Sequence, residues 1–432
     1  MRNICVPVLS VLFLFCVGCA SKEHVNVARE ATSSYVIVVG AEAIPAEKHA
    51  AEEFQHYVEK STGVRLPMTH NPGERKAVYI GPSRALRELA PNVLKEDLGS
   101  EEYLLETRQG NLIVLGGRPR GTMYGVYGFL EEFMGCRWFT RDVEKIPRHE
   151  TFVIPSLDRR EKPAFEYREP FFREAFDKNW AARNRVNSIH SHLDESVGDK
   201  IHMTGFVHTF NRLVPPEKYF DEHPEYFSMI DGKRTAERSQ LCLTNPEVLQ
   251  IVTDGVFKWI EENPKSTIFS VSQNDWEGPC ECPKCRAIDE AEGSHAGTLI
   301  AFCNKVAEAV AERYPDKYID TLAYMYTQKP PKNIRPHPNL IVRLCHMAPS
   351  CDSHPLATCP KNAAYVEDLR GWTAITDKVY VWHYVTNFSH YLMPFPNCNA
   401  IRRDIPFYHE VGVDGIFCQG NSSSGGGGEM AE

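Results

Sequence analysis

At 432 residues with a formal net charge of −9, the chain has room for two or three domains, each with its own core. That charge gives no electrostatic reason to expect nucleic acid or an anionic membrane surface as a partner. Hydrophobic residues at 42% and charged residues at 24% exclude a disordered or fibrous chain, and aromatics at 11% read first as core.

The first element, residues 1–19, reads as a targeting signal. "MRNICVPVLSVLFLFCVGCASKE" has one early arginine, an apolar run too short to span a bilayer, and small residues around a cysteine. Cys-Val-Gly-Cys at Cys16 to Cys19 resembles a bacterial lipobox with Cys19 as the lipidated residue; a plain signal peptide is the alternative. Both readings export the protein. It is either lipid-anchored at the cell envelope, touching membrane only through that anchor, or secreted. A polar linker is expected over 20–33.

A small α/β domain is expected over 34–157. "YVIVVG", "KAVYIG" and "NLIVLGG" read as strands. "PAEKHAAEEFQHYVEKSTG" reads as an amphipathic helix with Pro45 near its start and Gly63 past its end, and "TMYGVYGFLEEFMG" as another. "TFVIPSLDRR" marks the boundary.

Over 163–432, eight short strands alternate mostly with helices: "FEYREPFF", "MTGFVHTF", "SQLCLT", "TIFSVSQND", "YIDTLAY", "NLIVRLC", "KVYVWHYV" and "VDGIFCQG". This pattern predicts a (β/α)8 TIM-like barrel, with an open doubly wound sheet as the alternative. No Gly-rich dinucleotide or P-loop fingerprint opens a helix. The chain ends in "GNSSSGGGGEMAE", so the barrel is expected to be truncated and to lack its last helix.

In such a barrel the C-terminal strand ends face the active site. They supply Arg168, Glu169, His208, Asn274, Asp275, Tyr324, Tyr326, Arg343, His346, Trp382, His383, Tyr384, Asn387 and Gln419. The set suits a polar, hydroxylated ligand held by hydrogen bonds and aromatic stacking. No Ser-His-Asp order and no HExxH helix is present. Asn274-Asp275, after the fourth expected strand, is the most informative pair. Asp275 could protonate a glycosidic oxygen and Asn274 could orient a sugar substituent. A loop cap is the plainer reading of Asn-Asp. Glu277 and Glu169 are the reserve carboxylates.

Of the 14 cysteines, Cys5, Cys16 and Cys19 fall in the leader segment. Cys242, Cys345 and Cys418 sit singly in apolar contexts and read as buried free thiols. Cys280, Cys282 and Cys285 could hold structural zinc with a distant fourth ligand, form a disulfide, or be inert. The cluster reads as a staple on the loop that holds Asp275. A zinc hydrolase built on them fails, because a closed thiolate set leaves no position for water.

The motifs "SVSQND…CECPKC", "DTLAYMYTQKPPKNIRPHPNLIVRLC", "SHPL", "WHYVTNFSHYLMPFPN" and "GVDGIFCQGN" together resemble the bacterial family labelled domain of unknown function 4838. Its members are grouped as glycoside hydrolase family 163, endo-β-N-acetylglucosaminidases acting on N-glycans. "RGTMYGVYGFLEEFMGCRWF" is similar to the non-catalytic α/β domain preceding α-glucuronidase and β-hexosaminidase barrels. The resemblance implies retaining, substrate-assisted hydrolysis of a glycan or glycoprotein, with no cofactor required for catalysis. The related hexosaminidases carry Asp-Glu where this chain has Asn274-Asp275. A cell-surface glycan-binding lipoprotein with a degenerate barrel is the competing expectation.

Overall fold

The computed structural model describes residues 25–29, 32–347, 350–391 and 393–422. Cys19 and the segment expected to begin the final helix lie outside them. Within the expected linker, Val25–Arg29 is a strand paired antiparallel with Thr151–Ile154.

The N-terminal sheet has six strands in the order Asp158–Glu161, Tyr103–Arg108, Asn111–Gly116, Ala77–Ile80, Val36–Val39, Met68–Thr69. The helix Pro45–Thr62 packs on it where the sequence expects one. Its Glu47 carboxylate accepts from the Ile44 backbone N–H, and Gly63 ends it in the left-handed region at φ 77°.

The second half is a TIM-like curled sheet of parallel strands. We label them β1 (Tyr167–Phe171), β2 (Met203–Thr204), β3 (Ile268–Ser270), β4 (Tyr318–Ala323), β5 (Leu340–Cys345), β6 (Val379–Tyr384) and β7 (Gly415–Gln419). Their order is β1-β7-β6-β5-β4-β3-β2, so seven strands pair among the described residues where eight were expected. "SQLCLT" is the strand that fails. It lies outside the sheet, making one isolated bridge from Leu241 to Phe227. Its apolar residues instead anchor a loop.

No ladder joins β1 to β2. Segment 187–201 fills the gap through Asn187. Its Oδ1 accepts from the Arg168 N–H at 3.0 Å, its Nδ2 donates to the Glu166 carbonyl at 2.7 Å, and its own carbonyl accepts from Ile201.

Strand alternation sorts the side chains. Val379, Val381, Leu340, Val342 and Leu344 face the outer helices, in one core with Tyr365 and Tyr408. Tyr167, Ile341, Tyr380 and Phe417 fill the interior.

The two halves meet at Glu101, whose carboxylate accepts from Arg120 and Arg168 at 2.8 Å each and from Asn187 at 2.9 Å. Burial pushes this carboxyl up, but Arg168, Arg120 and Asn187 outweigh it and hold it below its ordinary value. Arg168, expected at the site, is therefore spent on this junction. No helix of the described residues is long and apolar enough to cross a membrane.

Candidate functional site

The chain after β3 runs through Ser272 and Gln273 to a turn that presents Asp275 at the mouth of the sheet. The Asp275 side chain is 61% exposed. The Tyr324 hydroxyl, just past β4, donates to its Oδ1 at 2.8 Å. His208 Nε2 stands 3.8 Å from the same oxygen.

His208 is held from behind. Its backbone N–H donates to Ser272 Oγ, and its Nδ1 lies 2.8 Å from the Gln273 carbonyl. A carbonyl only accepts, so Nδ1 carries the proton and Nε2 is left to face Asp275. A φ of 55° at His208, unusual without glycine, aims the ring. Burial first, then the bond to Asp275, raises the Tyr324 phenol above its ordinary range, which keeps it a donor. Tyr384 is also raised by burial, with smaller contributions from Tyr324 and Asp275.

Asn274 does something different from what was expected of it. Its amide donates to Asn211 Oδ1 at 2.9 Å and to the Ser239 carbonyl at 3.0 Å, and accepts from the Asn211 N–H. Gln240 clasps the same turn, accepting from the Asn274 N–H and donating to the carbonyls of Asn274 and Trp276. With its hydrogen bonds spent on protein, Asn274 shapes the turn that exposes Asp275. Glu277 is exposed two residues further on.

Glu169 points into the sheet, buried beside Tyr167 and next to the half-buried His190, whose Nδ1 lies 2.7 Å from it. Above it an aromatic wall forms from Phe171, Phe206, Phe417 and Trp382, with Trp382 donating to Gln419 Oε1 at 2.8 Å. Tyr384 continues this wall toward Phe388, and its hydroxyl meets Met347 sulfur. Asn387 caps its own loop, accepting from Ser389.

Two expected ligand-binding residues lie elsewhere. Arg343 is fully buried in the middle of the sheet, paired with Asp320 at 3.2 Å and surrounded by Tyr167, Phe206 and Tyr380. Its second place on the inward face of β5, below Cys345, puts it a layer below the mouth. Tyr326 packs edge-on against His295 and lines a cavity beneath the cysteine loop. His346 and His383 are also displaced. They stack on each other against Tyr365 and Tyr408, on the helix side of β5 and β6.

The cysteine loop has a partner that the sequence reading took for a lone buried thiol. Cys280, Cys282 and Cys285 are buried and unbridged, and Cys242 joins them, its sulfur 3.7 Å from that of Cys282. No spacing rule signals a partner so far upstream. His190, also missed, sits in irregular backbone where no strand pattern points to it, and Phe206, inside the expected strand "MTGFVHTF", lies past the end of β2.

Residues 138–432 match the model of the family described as domain of unknown function (DUF4838). The chain belongs to that family. In this DUF4838 protein, residues 21–129 also match the glycosyl hydrolase family 67 N-terminus. No curated protein matches it. Among solved structures it is similar to a family GH115 4-O-methyl-α-glucuronidase with specificity for decorated arabinogalactans, at TM-score 0.52 and 11% identity. That match covers 91% of this chain but 54% of the other, so the DUF4838 protein spans about half the length of that enzyme. The Streptomyces plicatus N-acetyl-β-hexosaminidase follows at TM-score 0.45 and 12% identity, covering 92% of this chain and 82% of that one. A GH20 β-N-acetylhexosaminidase from Streptomyces coelicolor A3(2) has TM-score 0.45, 10% identity and coverage of 92% and 84%.

Proposed function

We propose that this DUF4838 protein is an exported glycoside hydrolase, an endo-β-N-acetylglucosaminidase of the glycoside hydrolase family 163 type acting on N-glycans. The observation that carries the reading is Asp275, a carboxyl presented at the sheet mouth with Tyr324 on one oxygen and His208 Nε2 alongside. Trp382 and Tyr384 offer ring faces to a sugar in the same mouth. In the proposed reaction the substrate's own 2-acetamido oxygen attacks the anomeric carbon as the glycosidic bond breaks. Asp275 gives its proton to the leaving oxygen, and its carboxylate then takes a proton from the water that opens the cyclic intermediate. Tyr324 holds one carboxyl oxygen and leaves the other to carry the proton. Glu277 is the second carboxylate within reach of the same loop.

The test uses Asp275→Asn on N-glycoproteins, with released glycans measured by mass spectrometry. Hydrolysis should fall by roughly two to four orders of magnitude with folding intact. Nitrophenyl glycosides, which need little protonation, should suffer less. An unmodified protein that binds N-glycans without cleaving them would instead support a degenerate, glycan-binding barrel. That reading draws on Asn274, whose amide is turned away from the mouth. A folded Asp275→Asn variant with normal turnover on both substrates would overturn the assignment and move it to Glu277.

A further inference from the structure

The reaction proposed above makes no use of the four thiols behind the Asp275 loop. Cys242, Cys280, Cys282 and Cys285 are all buried, and their sulfurs lie within 4.8 Å of one another. They come from three stretches of chain: the segment before the helix Pro246–Glu262, the loop after β3, and the first turn of the helix Pro283–Glu292. We propose that they form a closed, tetrahedral structural zinc centre.

Geometry and charge both support this. Tetrahedral Zn–S bonds of about 2.3 Å place sulfurs about 3.8 Å apart, and Cys242 and Cys282 stand at 3.7 Å. Four thiolates around one Zn²⁺ leave two negative charges, which need donors in a buried setting. The Met229 N–H and Arg234 Nη1 both reach Cys280 sulfur at 3.4 Å, and Thr244 Oγ1 lies 3.2 Å from that of Cys285. Cys282 is the N-cap of its helix and Cys285 lies in its first turn, where the helix dipole favours negative charge. Four thiolates also select a soft tetrahedral metal over magnesium or calcium. The ion would pin the loop carrying Asp275 and Trp276 to the segment at Cys242, whatever reaction the mouth performs.

An exported chain could oxidise the same cysteines to disulfides, and the test separates the two. The full chain is purified without chelator, its zinc is measured by plasma mass spectrometry, and its thiols are titrated in denaturant before and after reduction. One zinc per chain with all four thiols reduced is the expected result. Cys242→Ser should cut bound zinc at least about tenfold, while Cys398→Ser, at an exposed cysteine, should leave it unchanged. Metal-free protein, or loss of these thiols to disulfides, would overturn the proposal. Should Cys242→Ser fail to fold, cobalt exchange of the unmodified protein decides. Thiolate-to-cobalt charge-transfer absorption is expected, and its absence counts against the site.

Discussion

Replacing Arg343 by methionine tests whether this arginine is interior scaffold or substrate ligand. Its guanidinium is sealed from solvent, with Nε and Nη2 each 3.2 Å from Asp320 Oδ2, and three aromatic rings lie 5.4–5.6 Å from its carbon. Removing one member of a buried pair strands the other charge, which costs about 3–5 kcal/mol. For a protein of this size that is a drop in melting temperature of about 3–6 °C. Asp320 already sits above the ordinary carboxylate range, because burial outweighs the opposing pull of Arg343. Without Arg343 that rise grows. A carboxyl whose folded pKa exceeds its unfolded value binds its proton more tightly when folded, so Arg343→Met should lose most stability as pH rises and recover part of it in acid. Adding Asp320→Leu should restore at least half the loss, since an apolar pair of similar volume is often neutral or better. Melting followed by circular dichroism across pH, with glycan binding by calorimetry on the folded variant, reads both effects. An Arg343→Met protein that melts like the parent but no longer binds glycan would refute the interior assignment.

The junction carboxylate Glu101 should shape the acid limb of stability. Its folded pKa is depressed, so its contribution is complete above the ordinary value of 4.5 and is lost as pH falls through the folded value. Glu101→Gln should flatten that limb in a melting-temperature profile while lowering stability at neutral pH. Export with a lipid anchor at Cys19 is proposed from the leader, and labelled palmitate incorporated by the parent should be lost in Cys19→Ala. Labelling that survives the substitution would reject the anchor.

What could be read from the sequence was local. The helix Pro45–Thr62 announces itself through its proline, its apolar period and its glycine stop, all within one stretch of chain. The strands β3 to β7 were legible for the same reason, and with them the placing of Asp275 after β3. Long-range relations were not legible. "SQLCLT" alternates like a strand, yet Cys242 and Gln240 serve the thiol cluster and the Asp275 turn. Arg343 and His383 are polar residues in strands, but only the register tells that one faces a sealed interior and the other the helices. Asn274 beside Asp275 reads as half of an active pair, until Asn211 and Ser239 arrive from elsewhere to occupy it.

The seam between β1 and β2 differs in kind from every other joint in this sheet. A backbone ladder is indifferent to side-chain identity, since any residue but proline can supply its N–H and C=O. At the seam, the Arg168 N–H of the first strand and the Glu166 carbonyl just before it are satisfied by one amide side chain, that of Asn187, which also reaches Glu101. Closure here thus depends on side-chain identity, at Asn187 for the backbone groups and at His190, which meets Glu169, beside it. Aspartate at 187 would keep the acceptor but lose the donor, and leucine would lose both, whereas comparable changes on β5 or β6 would leave their ladders intact.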